Sequence, residues 1–537
     1  VLALALLVLR LLYLAFLCPY SLIEDEANYW DWSRHLDWSY YTKGPGVAWT
    51  MWLTTQIFGN TEFGVRFAAP VAMSVACAAI GWLGYAISGK KSAALVSSLA
   101  FTLCPAFIVL GVIHTIDGPY VACWAVAACL AWKGLRDQRA WALALCGFVL
   151  GIAVLYKYTA LLMVPGLLAF LLQYRAVVFS PRARGATTLG IFAGLILLVA
   201  ASLPIVIWNA REGWPTIAHL LGHLGVQGGD LPPTQAAGKG YHYNPLWTLT
   251  FAGTLVALSG PALFVALSVI KRLTQTRFAS SAAPATQDPA TTMRMGAWFC
   301  FWVGAPVLAF YLLVSFVAEP EGNWSIAGFV TWMPLAGLGY ALARDRCAPL
   351  ASGLQLSRTN KPGRTWQEHF IFAQVILGTL LCLITLRADL AAHVPGLSRV
   401  VPTGRFTGAR EIGAHAGELA IKLREETGKE PFVMATHYGR TALLAFYMPD
   451  QPTTFCVSSL TGGRRTSWDF WPETIVAGNT SLLGRPAIVI GADETLWAKH
   501  FDRVVNIGAL RGDSKRKRYA YLCYGFRGMP LAQEAQP

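Results

Sequence analysis

Long apolar runs separated by short polar breaks fill the first two thirds of the chain, at residues 1–18, 66–87, 92–112, 119–132, 141–156, 159–173, 188–208, 248–270, 297–317, 326–342 and 370–387. A helix needs roughly 20 apolar residues to cross the hydrocarbon layer, so the pattern predicts about eleven membrane-spanning helices, the fourth and fifth the shortest. The first run has no small-x-small cleavage pattern before Pro19 and reads as a span rather than a removed leader. From residue 388 the pattern changes. Strand-like runs PFVMAT (431–436), PAIVIG (486–491) and YAYLCYG (519–525) accompany a helix-like stretch, REIGAHAGELAIKLREE. The expected fold class is therefore an α-helical multi-pass membrane domain over 1–387 followed by an extracytoplasmic α/β domain over 388–537. Residues 279–292, ASSAAPATQDPATT, read as a linker.

Composition sharpens this. Charged residues are 13% of 537, against about 25% in ordinary soluble domains, and mean hydropathy is +0.46. The 43 Lys and Arg outnumber 29 Asp and Glu, but they sit between apolar runs rather than on one wet face, which excludes nucleic acid as a partner. Loops after even-numbered runs hold 17 of these cations, from Lys90 and Lys91 to Lys361 and Arg364; loops after odd-numbered runs hold five, Arg34, Lys43, Lys157, Arg211 and Lys239. The positive-inside rule then places the N-terminus in the cytoplasm, and loops 19–65 and 209–247 and the tail outside. Eleven Cys without a CxxC pair argue against zinc ribbons and thiol redox chemistry. Cys456 and Cys523 are the candidates for a disulfide in an oxidising compartment.

The outer loops carry the candidate chemistry. Ser21-x-x-Glu24 has a capping-box spacing, predicting a helix from Ser21 with Asp25 and Glu26 in its first turn and Trp30, Trp32 and Trp38 in the headgroup layer. A carboxylate there can serve as general base or hold a divalent cation, and acids at a helix start also simply suit its macrodipole. Tyr41 and Lys43 precede a Gly-Pro-Gly turn, a Lys placed for phosphate or for snorkelling. His114 and Asp117 stand at the mouth of the third and fourth runs, and Lys157 lies between Tyr156 and Tyr158. Ionisable residues so placed are functional candidates, or partners in an ion pair across the bundle. Arg211 in REGWP, and Glu319, Asn323 and Trp324 in EPEGNW, add charge and an indole at the same level. His219 and His223, four apart, offer two metal ligands and no third.

In order, the acid pair, the Lys before a Gly/Pro turn, FGNTEFGVRFAAP, TIDGPY, LYKYTALLMVPG, REGWP, EGNWSIAGFV and HYGRTALLAFYMPDQP make the sequence resemble the GT-C glycosyltransferases. The likeness is to the bacterial family 39, protein-mannosyltransferase-like group, kin to the lipid A aminoarabinose transferase, over about residues 20–475. The resemblance implies a multi-span enzyme of the bacterial inner membrane with a periplasmic tail, which takes a polyprenyl-phosphate sugar as donor and a lipid or cell-envelope glycan as acceptor. It implies Asp25 as catalytic base with Glu26 supporting it or the acceptor; Asp117 is a further catalytic candidate from its own position at the mouth of the spans. Donor-phosphate contacts would come from Lys43, Lys157 and Arg211, and substrate contacts from Tyr41, His114, Glu319, Asn323 and Trp324. The aminoarabinose enzyme has an acid before its phosphate-binding Lys that helps hold a metal. Here that position is Thr42, which leaves the requirement for a divalent metal cation open. The competing functions are a protein O-mannosyltransferase, differing only in acceptor, and a transporter or flippase of lipid-linked sugars, which predicts internal repeats that the sequence does not display.

Overall fold

The computed structural model describes residues 1–223, 229–230, 243–275, 289–344, 364–391, 393, 404, 406–513 and 518–530. The chain forms two compact units. One comprises Val1–Leu17, Arg66–Val206 and Tyr241–Leu386; the other comprises Cys18–Val65, Ile207–Gly240 and Arg387–Pro537. The tail thus begins at Arg387, one residue from the expected boundary, while the first outer loop and residues 207–240 group with the tail rather than with the helical unit.

The first unit is helical, and all eleven apolar runs lie on helix. Four helices are long and apolar enough to cross a membrane by themselves: Glu62–Ser88, Arg184–Glu212, Pro289–Val314 and Trp366–Leu386. Two bent pairs raise the number to six when each pair counts as one span: Lys91–Thr102 with Pro105–Gly111, bent by 71°, and Pro245–Ser259 with Ala262–Gln275, bent by 103°. Pro105 opens the second piece of the first pair, and Gly260 (φ +68°) followed by Pro261 turns the second. Breaks like these free backbone groups that lipid cannot satisfy. Gln374, only 1% exposed, answers both: its Nε2 donates to Leu103 O (2.9 Å) and its Oε1 accepts from Ala262 N–H (3.1 Å). Helices approach closely where small residues meet. A side chain on Gly147 would collide with the Gly194 backbone, and one on Gly337 with Ser97.

In the second unit the tail holds a five-stranded sheet, β1 (Phe432–Ala435), β2 (Thr454–Cys456), β3 (Ala487–Ile490), β4 (Phe501–Gly508) and β5 (Ala520–Phe526), in the order β2-β1-β3-β5-β4. β1 runs parallel to β2 and β3, while β5 is antiparallel to β3 and β4. Because side chains alternate along a strand, Val433, Ala435, Ile488 and Ile490 pack with Ile412, Ala416 and Leu423 of the helix Ala409–Thr427. Phe432, Met434, Ala487 and Val489 face the opposite core, which includes Trp497 and Phe501. Both faces are covered, so these strands read as short unbroken apolar runs.

Several expectations need correction. The loop helix spans Glu24–Arg34 and so begins three residues after Ser21. Its start is set by Glu26, whose Oε2 accepts from Ile23 N–H (3.1 Å), while the Ser21 hydroxyl donates to Phe406 O (3.0 Å). Trp30 and Trp32 are core residues (0% and 2% exposed): Trp30 meets Phe446 edge-on at 4.9 Å and Trp32 stacks on Tyr40 at 4.4 Å. Within 209–247 a helix covers Pro215–His223, and Pro289–Thr292 of the expected linker opens the helix Pro289–Val314; residues 279–288 and Lys239 lie outside the described residues. Every described cysteine is free. Cys456 and Cys523 belong to β2 and β5, with two strands between them, or roughly 14 Å at about 4.8 Å per strand. A bridge needs Cα atoms about 4.4–6.8 Å apart.

Candidate active site

The candidate residues fall into two clusters, one in each unit. In the first unit, Asp117 opens the helix Asp117–Asp137, and Lys157 sits in extended conformation where the helix Ala140–Tyr156 ends. Both are buried, at 3% and 8% exposure. Lys157 Nζ donates to Asp117 Oδ1 at 2.8 Å, and Asn323 Nδ2 donates to Asp117 Oδ2 at 3.0 Å. Lys157 Nζ also lies 3.4 Å from Asn323 O and 5.7 Å from the Tyr120 ring centroid. The ion pair across the bundle is thus made, and the charge of Lys157 is spent largely on Asp117. His114 is fully buried three residues before Asp117. Trp324 packs on Tyr311 (5.7 Å), and Glu319 is exposed.

In the second unit, Asp25 is half-buried and its Oδ1 accepts from the Tyr438 hydroxyl at 3.2 Å. Glu24, next in the same turn, accepts from Arg518 (3.5 Å) and lies 3.9 Å from His437 Nδ1. Glu26 is fully buried and committed to the helix start. Lys43 is half-buried and its carbonyl accepts from Tyr40 N–H (3.0 Å) and the Ser39 hydroxyl (3.2 Å), which closes the turn that presents the side chain. Tyr41 is 2% exposed. Its hydroxyl donates to Asp230, which His219 Nδ1 also contacts at 2.8 Å. Burial pushes the His219 pKa down against the pull of Asp230, helped by Lys43 and Arg464. Burial alone would raise the Asp230 carboxyl, but hydrogen bonds from Tyr41 and His219 hold it below its ordinary value. A neutral His219 that donates to a carboxylate follows. Arg211 is exposed and lies over the Trp38 ring at 5.9 Å.

Asp117, Lys157 and Asn323 are brought together, whereas His219 meets Tyr41 and not a metal-ligand set. Among the described residues no three His, Cys, Asp or Glu side chains form a group that could hold a metal ion. Sequence reasoning missed Tyr438, His437, Arg518, Asp230 and Arg464. Only the first two carried a signal, inside HYGRTALLAFYMPDQP; the others sit in segments without a recognisable pattern.

A profile of the family described as dolichyl-phosphate-mannose-protein mannosyltransferase matches residues 42–208. The lipid A galacturonosyltransferase RgtD of Rhizobium johnstonii is 28% identical over 322 residues, 58% of this chain and 59% of that protein. The undecaprenyl phosphate-alpha-4-amino-4-deoxy-L-arabinose arabinosyl transferase of an Enterobacter species is 30% identical over 145 residues, 26% of each chain. The chain thus spans little more than half the length of the first of these relatives and about a quarter of the second. The fold matches crystal structures of ArnT from Cupriavidus metallidurans, in the apo state (14% identity) and bound to undecaprenyl phosphate (16% identity), each with a TM-score of 0.60 over 97% of both chains. The chain therefore shares its fold with ArnT, and parts of it are similar in sequence to glycosyltransferases of these names.

Proposed function

We propose that this protein is an inner-membrane glycosyltransferase that moves a sugar from a polyprenyl-phosphate donor to a lipid or cell-envelope glycan acceptor on the periplasmic side, with Asp25 as general base. The observation that carries the reading is Asp25 itself: a half-buried carboxylate in the first turn of a helix, oriented by the Tyr438 hydroxyl, within a fold that in ArnT is seen with undecaprenyl phosphate. RgtD, by its name, acts on lipid A, which favours a glycolipid acceptor. The family profile is named for protein mannosyl transfer, which keeps a protein acceptor as the second reading.

In the reaction, Asp25 takes the proton of the acceptor hydroxyl as its oxygen attacks the anomeric carbon. The bond from that carbon to the phosphate oxygen breaks, and polyprenyl phosphate leaves with the electron pair. Lys43, on its rigid turn, holds the departing phosphate, an electrostatic contribution that costs no reorganisation during the step. Asp117, held by Lys157 and Asn323, is the alternative base.

The test is transfer by purified protein from a panel of polyprenyl-phosphate sugars to glycolipid and protein acceptors. Asp25→Asn keeps size and hydrogen bonding but cannot accept a proton, and loss of a general base typically costs ~10²–10⁴-fold in rate. Lys43→Ala should raise the donor KM or abolish transfer. Parental turnover in Asp25→Asn together with a dead Asp117→Asn would move the base to Asp117. Full activity in all three variants would end the enzymatic reading of these residues.

A further inference from the structure

The turn that leads into the long helix Arg184–Glu212 is pinned on its inner face and charged on its outer one. Val178, Ala183 and Thr187 are buried, at 2%, 0% and 1% exposure. The Thr187 hydroxyl donates to Val178 O (3.2 Å), and the N–H groups of Ala183 and Arg184 both donate to Ser180 O (2.9 Å). Arg182 and Arg184 are exposed, as is Arg175 at the start of the short helix Arg175–Val178. Among the described residues none of these three guanidinium groups has an ion pair, and the sequence holds no acidic residue between Asp137 and Glu212.

Beside these cations lies an open groove of about 640 Å³, lined by Pro181, Arg184, Gly185, Thr188, Leu189 and Phe192. The five helical residues fall at i, i+1, i+4, i+5 and i+8, a single stripe of the helix. The stripe changes character along its length. A guanidinium and the exposed Thr188 hydroxyl come first, then Leu189 and Phe192, 62% and 64% exposed. At 1.5 Å per residue Leu189 stands about 7 Å beyond Arg184 along the axis, and the headgroup layer of one leaflet is roughly 5–7 Å deep. The helix is long and apolar enough to cross a membrane. With Arg184 level with the lipid phosphates, Leu189 therefore meets the start of the hydrocarbon.

We propose that this groove binds an anionic glycerophospholipid of the phosphatidylglycerol type. Arg184 and the Thr188 hydroxyl meet its phosphate with Arg182 adjoining, and an acyl chain runs along Leu189 and Phe192. Charge complementarity selects this occupant: cations at a membrane surface attract anionic lipid, a zwitterionic headgroup brings an ammonium that they repel, and a second copy of the chain would bring the same cations to the contact. The turn is already ordered by its own hydrogen bonds, so binding spends little on fixing it. None of the residues of the proposed transfer reaction takes part, and the site stands or falls apart from that reaction.

The full chain in detergent is titrated with dioleoylphosphatidylglycerol, dioleoylphosphatidylcholine, undecaprenyl phosphate and glycerol 3-phosphate, with binding read by native mass spectrometry and by the thermal midpoint. Phosphatidylglycerol should bind more tightly than phosphatidylcholine, and glycerol 3-phosphate, a headgroup without chains, not detectably. Each cation should be worth about five-fold in affinity, so Arg184→Gln should weaken binding by that factor and the double variant with Arg182→Gln by roughly 25-fold. A Cβ on Gly185 meets nothing within 4 Å, so Gly185→Leu should fill the groove and abolish tight binding while the lipid-free midpoint stays where it is. Lys422→Gln, on the tail helix Ala409–Thr427, should leave binding unchanged. Equal affinity for the two phospholipids would mean lipid of the ordinary annulus and overturn the site, as would undiminished binding in the double variant. If the double variant does not fold, Gly185→Leu decides alone, and full binding there overturns the proposal. Tighter binding of undecaprenyl phosphate than of phosphatidylglycerol, lost in Gly185→Leu, overturns the assignment to a glycerophospholipid. A change from dimer to monomer in Gly185→Leu with lipid affinity intact gives the groove to a second copy and overturns it too.

Discussion

Asp31 lies in the loop helix and is 2% exposed. Burial outweighs its 3.2 Å contact with Arg34 and lifts its pKa from 3.8 to about 7. Between those values the folded state keeps a proton that the unfolded chain has released, so the fold binds more protons and stability falls as pH rises through that window. The thermal midpoint should drop between pH 4 and 7 by this contribution, and Asp31→Asn should remove that part of the slope; an unchanged slope in the variant would refute it. The Asp117–Lys157 pair makes the opposite kind of prediction. Removing one partner of a buried pair typically costs ~3–5 kcal/mol because the other charge is stranded. Lys157→Met should therefore lower the unfolding midpoint strongly, and adding Asp117→Asn should restore much of it. Transfer activity should stay low in the double variant, which separates the structural contribution of the pair from the use of the carboxylate. The sequence revealed both residues as candidates, but that they pair depends on packing between segments 40 residues apart, which local pattern does not encode.

At the scale of elements, β1, β3, β5 and the helix Ala409–Thr427 were legible because each is a single apolar or amphipathic run of ordinary length. β2 has three residues, and β4 is largely exposed along its outer edge, so neither carries a periodic signal. The loop helix was legible in kind but not in start: Ser21-x-x-Glu24 matches a capping box, yet Ser21 bonds to Phe406, some 385 residues away, and tertiary contacts override the local motif. Breaks at Leu103 and Gly260 were hidden inside apolar runs of acceptable length. Gln374 depends on both, and replacing it with Leu leaves a buried carbonyl and a buried N–H unpaired, at roughly 1–3 kcal/mol each. Gln374→Leu should lose detergent-solubilised thermal stability by that order, while Gln374→Glu, which keeps an acceptor but no amide donor, should recover only part of it.

At the scale of the whole molecule, the class was legible from composition, since so few charges over 537 residues admit few alternatives. The division into units was not, because residues 18–65 and 207–240 join the tail through contacts distant in sequence, such as Leu22 N–H to the Tyr447 hydroxyl (2.6 Å). Orientation rests on the basic residues of alternate loops, 17 against five. A reporter active only in the cytoplasm, fused after Arg527, should stay silent; signal from it would invert the topology and with it the side on which transfer is proposed.

Gln374 has a mechanical consequence. An amide is planar, so its oxygen and nitrogen are a rigid rod, and one rod ends on the break at Leu103 and on the break at Ala262. Two kinked helices that could each flex alone are geared to a third. Any widening at one kink must either drag the other along or disengage the rod, so the three helices share one degree of freedom where their separate hinges would have two.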